Sequence, residues 1–214
     1  DDLIERYLNA IDLELCGLDA PVIDTLFVGG GTPTHFDAEQ LQRFLQIVRE
    51  RFQLSACCEW SMEANPEDIT REKVEILSDH GVNRISLGVQ SLNKTKLQRL
   101  ERDHCESDIR RAVSSAKNLG LDVSLDMIFA APQETLAQWQ TDLNQAISLE
   151  PDHLSTYELT YEKGTQFWNR LNRGAISEAD EDLRAEMYSF AINRLSRAGM
   201  NQYEVSSFAK TNKN

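Results

Sequence analysis

Strand-like and helix-like segments alternate along the chain, and this alternation limits the folds open to it. Five short runs have the composition of strands: TLFVG, EWSMEA, RISLGVQ, DVSLDMIF and HLSTYELTY. Amphipathic helical patterns separate them. Strands joined through helices pair in parallel with right-handed crossovers, so the order predicts an α/β protein whose sheet forms one uninterrupted domain. Such a sheet is either open and doubly wound or part of a (β/α) barrel.

Capping residues and glycines predict where the helices begin and end. The first residues, DDLIERYLNAIDLEL, already have a helical pattern, and Asp37 and Gln40 are spaced as a capping box. Four later helices are predicted to begin at polar caps: Thr70, Ser107, Thr135 and Ser177. Three of the helices are predicted to end at glycines: Gly81, Gly120 and Gly199.

Composition excludes several classes of partner. The chain has 22 basic and 35 acidic residues and a net charge of -13, which argues against binding to a nucleic-acid backbone. No apolar run approaches the roughly 18 residues of a membrane span, so no integral membrane segment is expected. Four cysteines have neither metal-ligand spacing nor the pattern of a disulfide framework: Cys16, Cys57, Cys58 and Cys105. We therefore expect a reduced, cytoplasmic protein with no metal site of its own.

Polar residues stand where the predicted strands end. Glu63 follows Met62 and Asp126 follows Leu125, each within an otherwise apolar strand, and Gln90 ends a third strand. Ligands of parallel α/β proteins bind at the carboxyl ends of the strands. Burying an unpaired carboxylate costs several kcal/mol, so we expect a polar partner for both acids. Taken alone, however, Glu63 and Gln90 also have a purely structural interpretation.

The first strand runs directly into three glycines, Gly29 to Gly31, and then into Thr32 and Pro33. These glycines could serve only a tight turn between strand and helix. They would also let the backbone approach a ligand closely and bind it through exposed N–H and C=O groups, which is the interpretation we favour. The loop lacks the Lys-Ser/Thr of a P-loop and the spacing of a dinucleotide fingerprint.

Four separated motifs add a family resemblance to this reading. FVGGGTPT, SMEANPE, GVNRISLGVQSLN and YEVSSFAK, in this order, strongly resemble the radical S-adenosylmethionine enzymes of the oxygen-independent coproporphyrinogen III dehydrogenase family. Within that family, the sequences of these motifs are most similar to those of the haem chaperone branch, the HemW type. The resemblance covers residues 24 to 210. It implies a partial (β/α)6 barrel, open on one side and here without its first strand.

The resemblance also implies a cofactor site. In this family the loop that matches Gly30, Gly31 and Thr32 lies along S-adenosylmethionine and receives its amino group. Four further residues match the family's other contacts to this cofactor: Glu63, Gln90, Arg102 and Asp126. Their chemistry suits it, because carboxylates accept hydrogen bonds from an amine and from ribose hydroxyls, and an arginine can hold the cofactor's carboxylate with two hydrogen bonds. No catalytic side chain is assigned.

The departures from the family pattern are specific. Family members carry a Cys-x3-Cys-x2-Cys motif upstream of the glycine loop, which ligates a [4Fe-4S] cluster, and this sequence lacks it. We therefore expect residues 1 to 214 to be an internal fragment of a longer protein, with a C-terminal segment beginning near residue 200. Ala130 and Ala131, in IFAAPQET, stand where the family usually has glycine and leucine, and should narrow the backbone choices there.

Three functions remain open. The favoured one is a haem chaperone that binds S-adenosylmethionine and, in the longer parent, a [4Fe-4S] cluster and haem. The second is a dehydrogenase that converts propionates of coproporphyrinogen III to vinyl groups through a 5'-deoxyadenosyl radical, with an electron donor of unknown identity. The third is a truncated domain without activity. Whether the chain is an enzyme is therefore left open.

Overall fold

A computed structural model describes residues 2–20 and 22–213. In chain order the main elements are α1 (Asp2–Leu15), β1 (Val22–Val28), α2 (Ala38–Arg51), β2 (Gln53–Ala64), α3 (Arg71–Asp79), β3 (Arg84–Gln90), α4 (Lys94–Arg99), α5 (Glu106–Asn118), β4 (Asp122–Phe129), α6 (Leu136–Ser148), β5 (His153–Glu158), α7 (Gln166–Asn172), α8 (Glu181–Arg197), β6 (Asn201–Gln202) and β7 (Ser207–Ala209). Short 3-10 turns follow β1 and β2, at Pro33–His35 and Pro66–Asp68. None of the helices in the described ranges combines the length and hydropathy needed to cross a membrane.

The sheet has seven strands in the order β1-β2-β3-β4-β5-β7-β6. Strands β1 to β5 pair in parallel, as predicted. Strand β7 pairs antiparallel with β5, and β6 antiparallel with β7; neither was predicted, because runs of two or three residues carry no readable alternation. The sheet curls into a half barrel, which confirms the partial-barrel prediction and excludes an open doubly wound sheet.

The two faces of the sheet differ in character because successive side chains of a strand point to opposite faces. The convex face is apolar, buried and covered by helices, and it includes Trp60, Met62, Ile85, Leu87, Val123, Leu125 and Leu154. The concave face is polar and includes Ser61, Glu63, Arg84, Ser86, Ser124, Asp126, His153 and Ser155. Glu63 and Asp126 therefore do not interrupt strands covered on both sides; they belong to the face that no helix covers.

Most of the predicted helix boundaries are confirmed. Asp37 and Gln40 form the capping box of α2, and Thr70 and Thr135 cap α3 and α6. All three predicted terminal glycines have positive φ, at Gly81, Gly120 and Gly199. Two predicted caps are wrong, at Ser107 and Ser177.

Helix α5 begins before the predicted serine and helix α8 after it, and at each start an acidic side chain accepts a backbone N–H. Helix α5 begins after Cys105, whose N–H donates to Asp108 Oδ2 at 3.0 Å. Helix α8 begins after Asp180, which accepts from Leu183 N at 2.8 Å. The short helices α4 and α7 were not predicted at all, since six or seven residues show too little of the helical period.

Candidate functional site

The glycine loop packs directly against Glu63. Strands β1 and β2 pair Val28 with Met62, which places Gly29 beside Glu63 at the carboxyl ends of both strands. A Cβ atom on Gly29 would lie 2.6 Å from Glu63 Cδ, closer than real contacts allow. The Gly30 N–H donates to Glu63 Oε2 at 3.1 Å, and Gly30 has a φ of 87°. The glycines thus permit a backbone-to-carboxylate contact that any side chain would block.

The remainder of the loop is tied to the residues that follow β2. Asn65 Nδ2 donates to Thr32 Oγ1 at 3.2 Å, and Lys73 Nζ donates to the Thr34 carbonyl at 2.7 Å. A Cβ on Gly30 or Gly31 would meet no atom within 4 Å, so this part of the backbone faces open space. A cavity of about 360 Å³ borders the loop, and its aromatic lining comes from Tyr7, Phe36 and Phe44.

Glu63 and Asp126 line the same cavity, which occupies about 230 Å³ of the concave face. Asp126 accepts a hydrogen bond from Ser86 Oγ at 3.1 Å. Burial raises the pKa of Asp126, and the charge of Glu63 raises it further, while hydrogen bonds from Ser86 and Ser155 act in the opposite direction. The two carboxylates predicted to share a site therefore line one cavity, and the charge of Glu63 acts on Asp126.

Gln90 and Arg102 are placed less directly. Gln90 ends β3 with a φ of 61°, and it pairs with Met127, the residue after Asp126 in β4. Its side-chain Nε2 lies over Gly88, 3.3 Å from where a Cβ of Gly88 would be. Arg102 is exposed after the end of α4 and is not among the residues that line the cavity. Its contact with the cofactor stays a prediction.

A hydrogen-bonded chain at the amino end of the same face was not predicted. The imidazole of His153 lies between two hydroxyl groups, with Nδ1 2.8 Å from Ser124 Oγ and Nε2 2.7 Å from Tyr203 Oη. Burial lowers the pKa of His153 to about 4. His153 was interpreted as a surface or structural residue, and the available signal was its place as the first residue of a strand whose alternate positions, Ser155 and Tyr157, point to the concave face.

The cysteines do not form a site for an iron–sulfur cluster. Cys58 is buried within β2 beside exposed Cys57, while exposed Cys16 follows α1 and exposed Cys105 precedes α5. Across residues 2–20 and 22–213, no three or more His, Cys, Asp or Glu side chains are grouped to hold a metal ion. By contrast, the chemistry of S-adenosylmethionine fits the two carboxylates of the concave face, Glu63 and Asp126, and the Gly30 N–H joins the neighbouring glycine loop to Glu63.

Comparison with known proteins places the chain in a family. The model of the Radical SAM superfamily matches residues 11–146. The match covers more than half of the chain, and the half-barrel sheet agrees with it. The chain is therefore a member of the Radical SAM superfamily.

Several relatives of the chain are haem chaperones. The chain is 35% identical over 213 residues to the heme chaperone HemW of Bacillus subtilis, covering 97% of this chain and 56% of that protein. It is 37% identical over 211 residues to the heme chaperone HemW of Escherichia coli, covering 98% of this chain and 55% of the relative. The chain thus spans about half the length of these relatives.

A solved structure has a closely similar backbone. Coproporphyrinogen III oxidase (HemN) from Escherichia coli, a radical SAM enzyme, superposes with a TM-score of 0.87 at 25% identity, covering 98% of this chain and 49% of the other.

Proposed function

We propose that this chain is the S-adenosylmethionine-binding core of a haem chaperone. The observation that carries the proposal is the position of Glu63, which accepts a hydrogen bond from the glycine loop and lines the same cavity as Asp126, two strands away. Identity of 35 to 37% to named haem chaperones over nearly the whole chain supports the choice of branch.

Each predicted residue would have a distinct task in binding. Glu63 would accept hydrogen bonds from the cofactor's ammonium group, next to the backbone of Gly30, Gly31 and Thr32. Asp126 would accept from ribose hydroxyls, and Gln90 would donate and accept without adding charge. Arg102 would pair with the cofactor's carboxylate from outside the cavity.

The residues that the structure describes provide no binding site for the iron–sulfur cluster that such proteins use. When bound, it supplies the electron that cleaves S-adenosylmethionine, and its ligands would belong to a longer protein of which this chain is one part. The task of the chain itself is to bind the cofactor, orient it and keep water from it. A cytoplasmic location and an electron donor of unknown identity remain predictions.

A second candidate is a coproporphyrinogen III dehydrogenase, and the superposition on the Escherichia coli oxidase favours it. The two functions differ in what is consumed. A dehydrogenase must cleave one cofactor for each propionate that it decarboxylates, whereas a chaperone needs only to bind haem and release it.

The deciding experiment uses haem and coproporphyrinogen III in turn, on this chain and on any longer protein that contains it. We expect a shifted Soret band on haem addition and unchanged coproporphyrinogen III under anaerobic conditions. Asp126→Ala should weaken S-adenosylmethionine binding by about 1–3 kcal/mol, the cost of stranding buried hydrogen-bond partners, and leave haem binding largely intact. Asp122→Ala, at the other end of β4, is the matched control and should change neither.

Two results would change the proposed function. Anaerobic formation of protoporphyrinogen IX, with S-adenosylmethionine cleaved in proportion, would establish the dehydrogenase instead. Failure of the longer protein to bind either haem or S-adenosylmethionine would leave only the truncated domain without activity.

A further inference from the structure

A buried ionic network lies behind the loops that follow β3 and β4, outside the concave cavity. It consists of Lys96, Glu134 and Asp142, whose side chains are 6%, 2% and 1% exposed. Lys96 Nζ lies 2.6 Å from Glu134 Oε1 and 3.1 Å from Asp142 Oδ2. The ammonium also lies 5.0 Å from the centre of the Trp139 ring. Nothing in cofactor binding as described above uses these charges.

The two carboxylates of the network also accept hydrogen bonds from residues of the two loops. Asp142 accepts from the Leu92 N–H and from the Ser91 hydroxyl, both at 2.6 Å. Glu134 Oε2 accepts from the Ala131 N–H at 3.0 Å. The network therefore joins the loop after β3 to the loop after β4 through one central cation.

Each bound segment directly follows a residue in an unusual backbone conformation. Gln90, just before Ser91, has a φ of 61°, and Ala130, just before Ala131, has a φ of 60°. Residues with a side chain adopt this left-handed region rarely and at a cost, and they persist there when surrounding contacts over-determine them. Here the surrounding contacts are the hydrogen bonds to Asp142 and Glu134.

The charge balance makes Lys96 the member on which the others depend. The network contains two carboxylates and one cation, and burial raises the pKa of Glu134 while Lys96 counteracts it. Removing the cation would leave two buried carboxylates facing each other without a counter-charge, and a buried charge that loses its partner is strongly unfavourable. The loops would then have to open or take up a proton.

We propose that Lys96, Glu134 and Asp142 are positioning residues, which hold Gln90 and the loop after β4 in the conformation that binds S-adenosylmethionine. The inference rests on the proposed function, because the ligand is that of the concave face. The three residues do not contact the ligand. They support its binding by fixing the loops that follow two neighbouring strands, β3 and β4.

The test measures S-adenosylmethionine affinity by calorimetry and loop order by hydrogen–deuterium exchange, well below the unfolding temperature of each variant. Lys96→Met should bind at least about tenfold more weakly and exchange faster in both segments, residues 88–93 and 129–134. Lys96→Met/Glu134→Gln restores the net charge and keeps an acceptor for Ala131, so it should recover part of the affinity. Ser91→Ala, a milder change, should loosen residues 88–93 alone.

Two controls separate positioning from general stability. Lys213→Met breaks the ion pair with Asp122 at the amino end of β4 and should leave affinity unchanged. Leu195→Ala, on the buried face of α8, should lower stability without changing exchange in either segment. Equal affinity and exchange in Lys96→Met and wild type, or equal losses in Leu195→Ala, would overturn the proposal. If the wild type binds no S-adenosylmethionine, the proposed function fails, and exchange in the two segments still decides the positioning role.

Discussion

Gly29 packs so closely against Glu63 and Phe27 that a side chain at this position would have to displace one of them, with Phe27 Cε1 2.6 Å from the added Cβ. The Cβ that Gly29 lacks would lie 2.6 Å from Glu63 Cδ and 2.8 Å from Glu63 Oε1. The next residue, Gly30, donates its N–H to the same carboxylate. The first glycine of the loop thus has a role that is independent of chain flexibility, which is to let a charged side chain reach the backbone at the end of the neighbouring strand.

Gly29→Ala is predicted to displace Glu63 from the loop. We expect a loss of about 1–3 kcal/mol in stability, because overpacking a filled site forces such shifts, and a loss of S-adenosylmethionine binding with it. Chemical denaturation and calorimetry measure the two effects. Gly17→Ala is the matched control, since its Cβ would find ordinary contact 3.5 Å from the nearest atom. Unchanged cofactor affinity in Gly29→Ala would show that the position of Glu63 does not matter.

Asp126→Asn is predicted to stabilise the chain increasingly as pH rises. The pKa of Asp126 is raised in the folded state, so the folded chain binds this proton more tightly than the unfolded chain does. Wild-type stability therefore falls as pH rises from about 4 through the raised pKa, and an asparagine undergoes no such loss. Tm measured from pH 4.5 to 8 should show a widening gap, at roughly 2–4 °C per kcal/mol.

The control for this experiment is Asp122→Asn, on the same strand but outside the cavity. Comparison of the two variants separates the effect of the carboxylate in the cavity from that of replacing any carboxylate on β4. A gap for Asp126→Asn that stays constant from pH 4.5 to 8 would mean that Asp126 is not held at a cost in the folded state.

His153→Gln is predicted to reduce the loss of stability in acid. The pKa of His153 is lowered to about 4, so between pH 6.5 and 4 the unfolded chain takes up a proton that the folded chain does not. Stability from this group is full above pH 6.5 and is lost as pH falls through that window. Tm against pH should be flatter in the variant, with His35→Gln as the control at an exposed histidine. An equally steep acid limb would contradict the assignment.

Ala130→Gly is predicted to stabilise the chain. Ala130 is buried and has a φ of 60°, a conformation that costs an alanine about 1–2 kcal/mol and a glycine almost nothing. Part of this gain is offset by the greater freedom of glycine in the unfolded chain, so we expect a net gain of up to about 1 kcal/mol in urea unfolding. Ala112→Gly, within α5, should instead destabilise by a similar amount. A destabilised Ala130→Gly would show that the left-handed backbone is not strained.

Alternation of strands and helices was sufficient to predict a parallel α/β sheet, and the family resemblance chose the partial barrel over an open sheet. The sequence also predicted that Glu63 and Asp126 share one face, and both line the same cavity. Asp126 lies inside β4 rather than at its end, because the strand continues through the apolar residues 127 to 129.

What the sequence did not predict depends on contacts between distant residues. Lys96 and Asp142 lie 46 positions apart, and Lys96 falls in a helix too short to recognise. His153 meets Tyr203 only because β7 returns antiparallel to β5. Ala130 and Ala131 were expected to restrict the backbone conformation of their loop. In the structure Ala130 nevertheless adopts a left-handed conformation, and the N–H of Ala131 donates to Glu134.

Binding of S-adenosylmethionine to Glu63 tests the account most directly. Calorimetry on the wild type should show one binding site, and Glu63→Gln should weaken binding there by about 1.5–3 kcal/mol, the usual worth of a hydrogen bond to a charged group. Glu75→Gln, at a carboxylate of α3 that pairs with Arg71 outside the cavity, should bind as the wild type does. Equal affinity in Glu63→Gln and Glu75→Gln would contradict a cofactor site at the glycine loop.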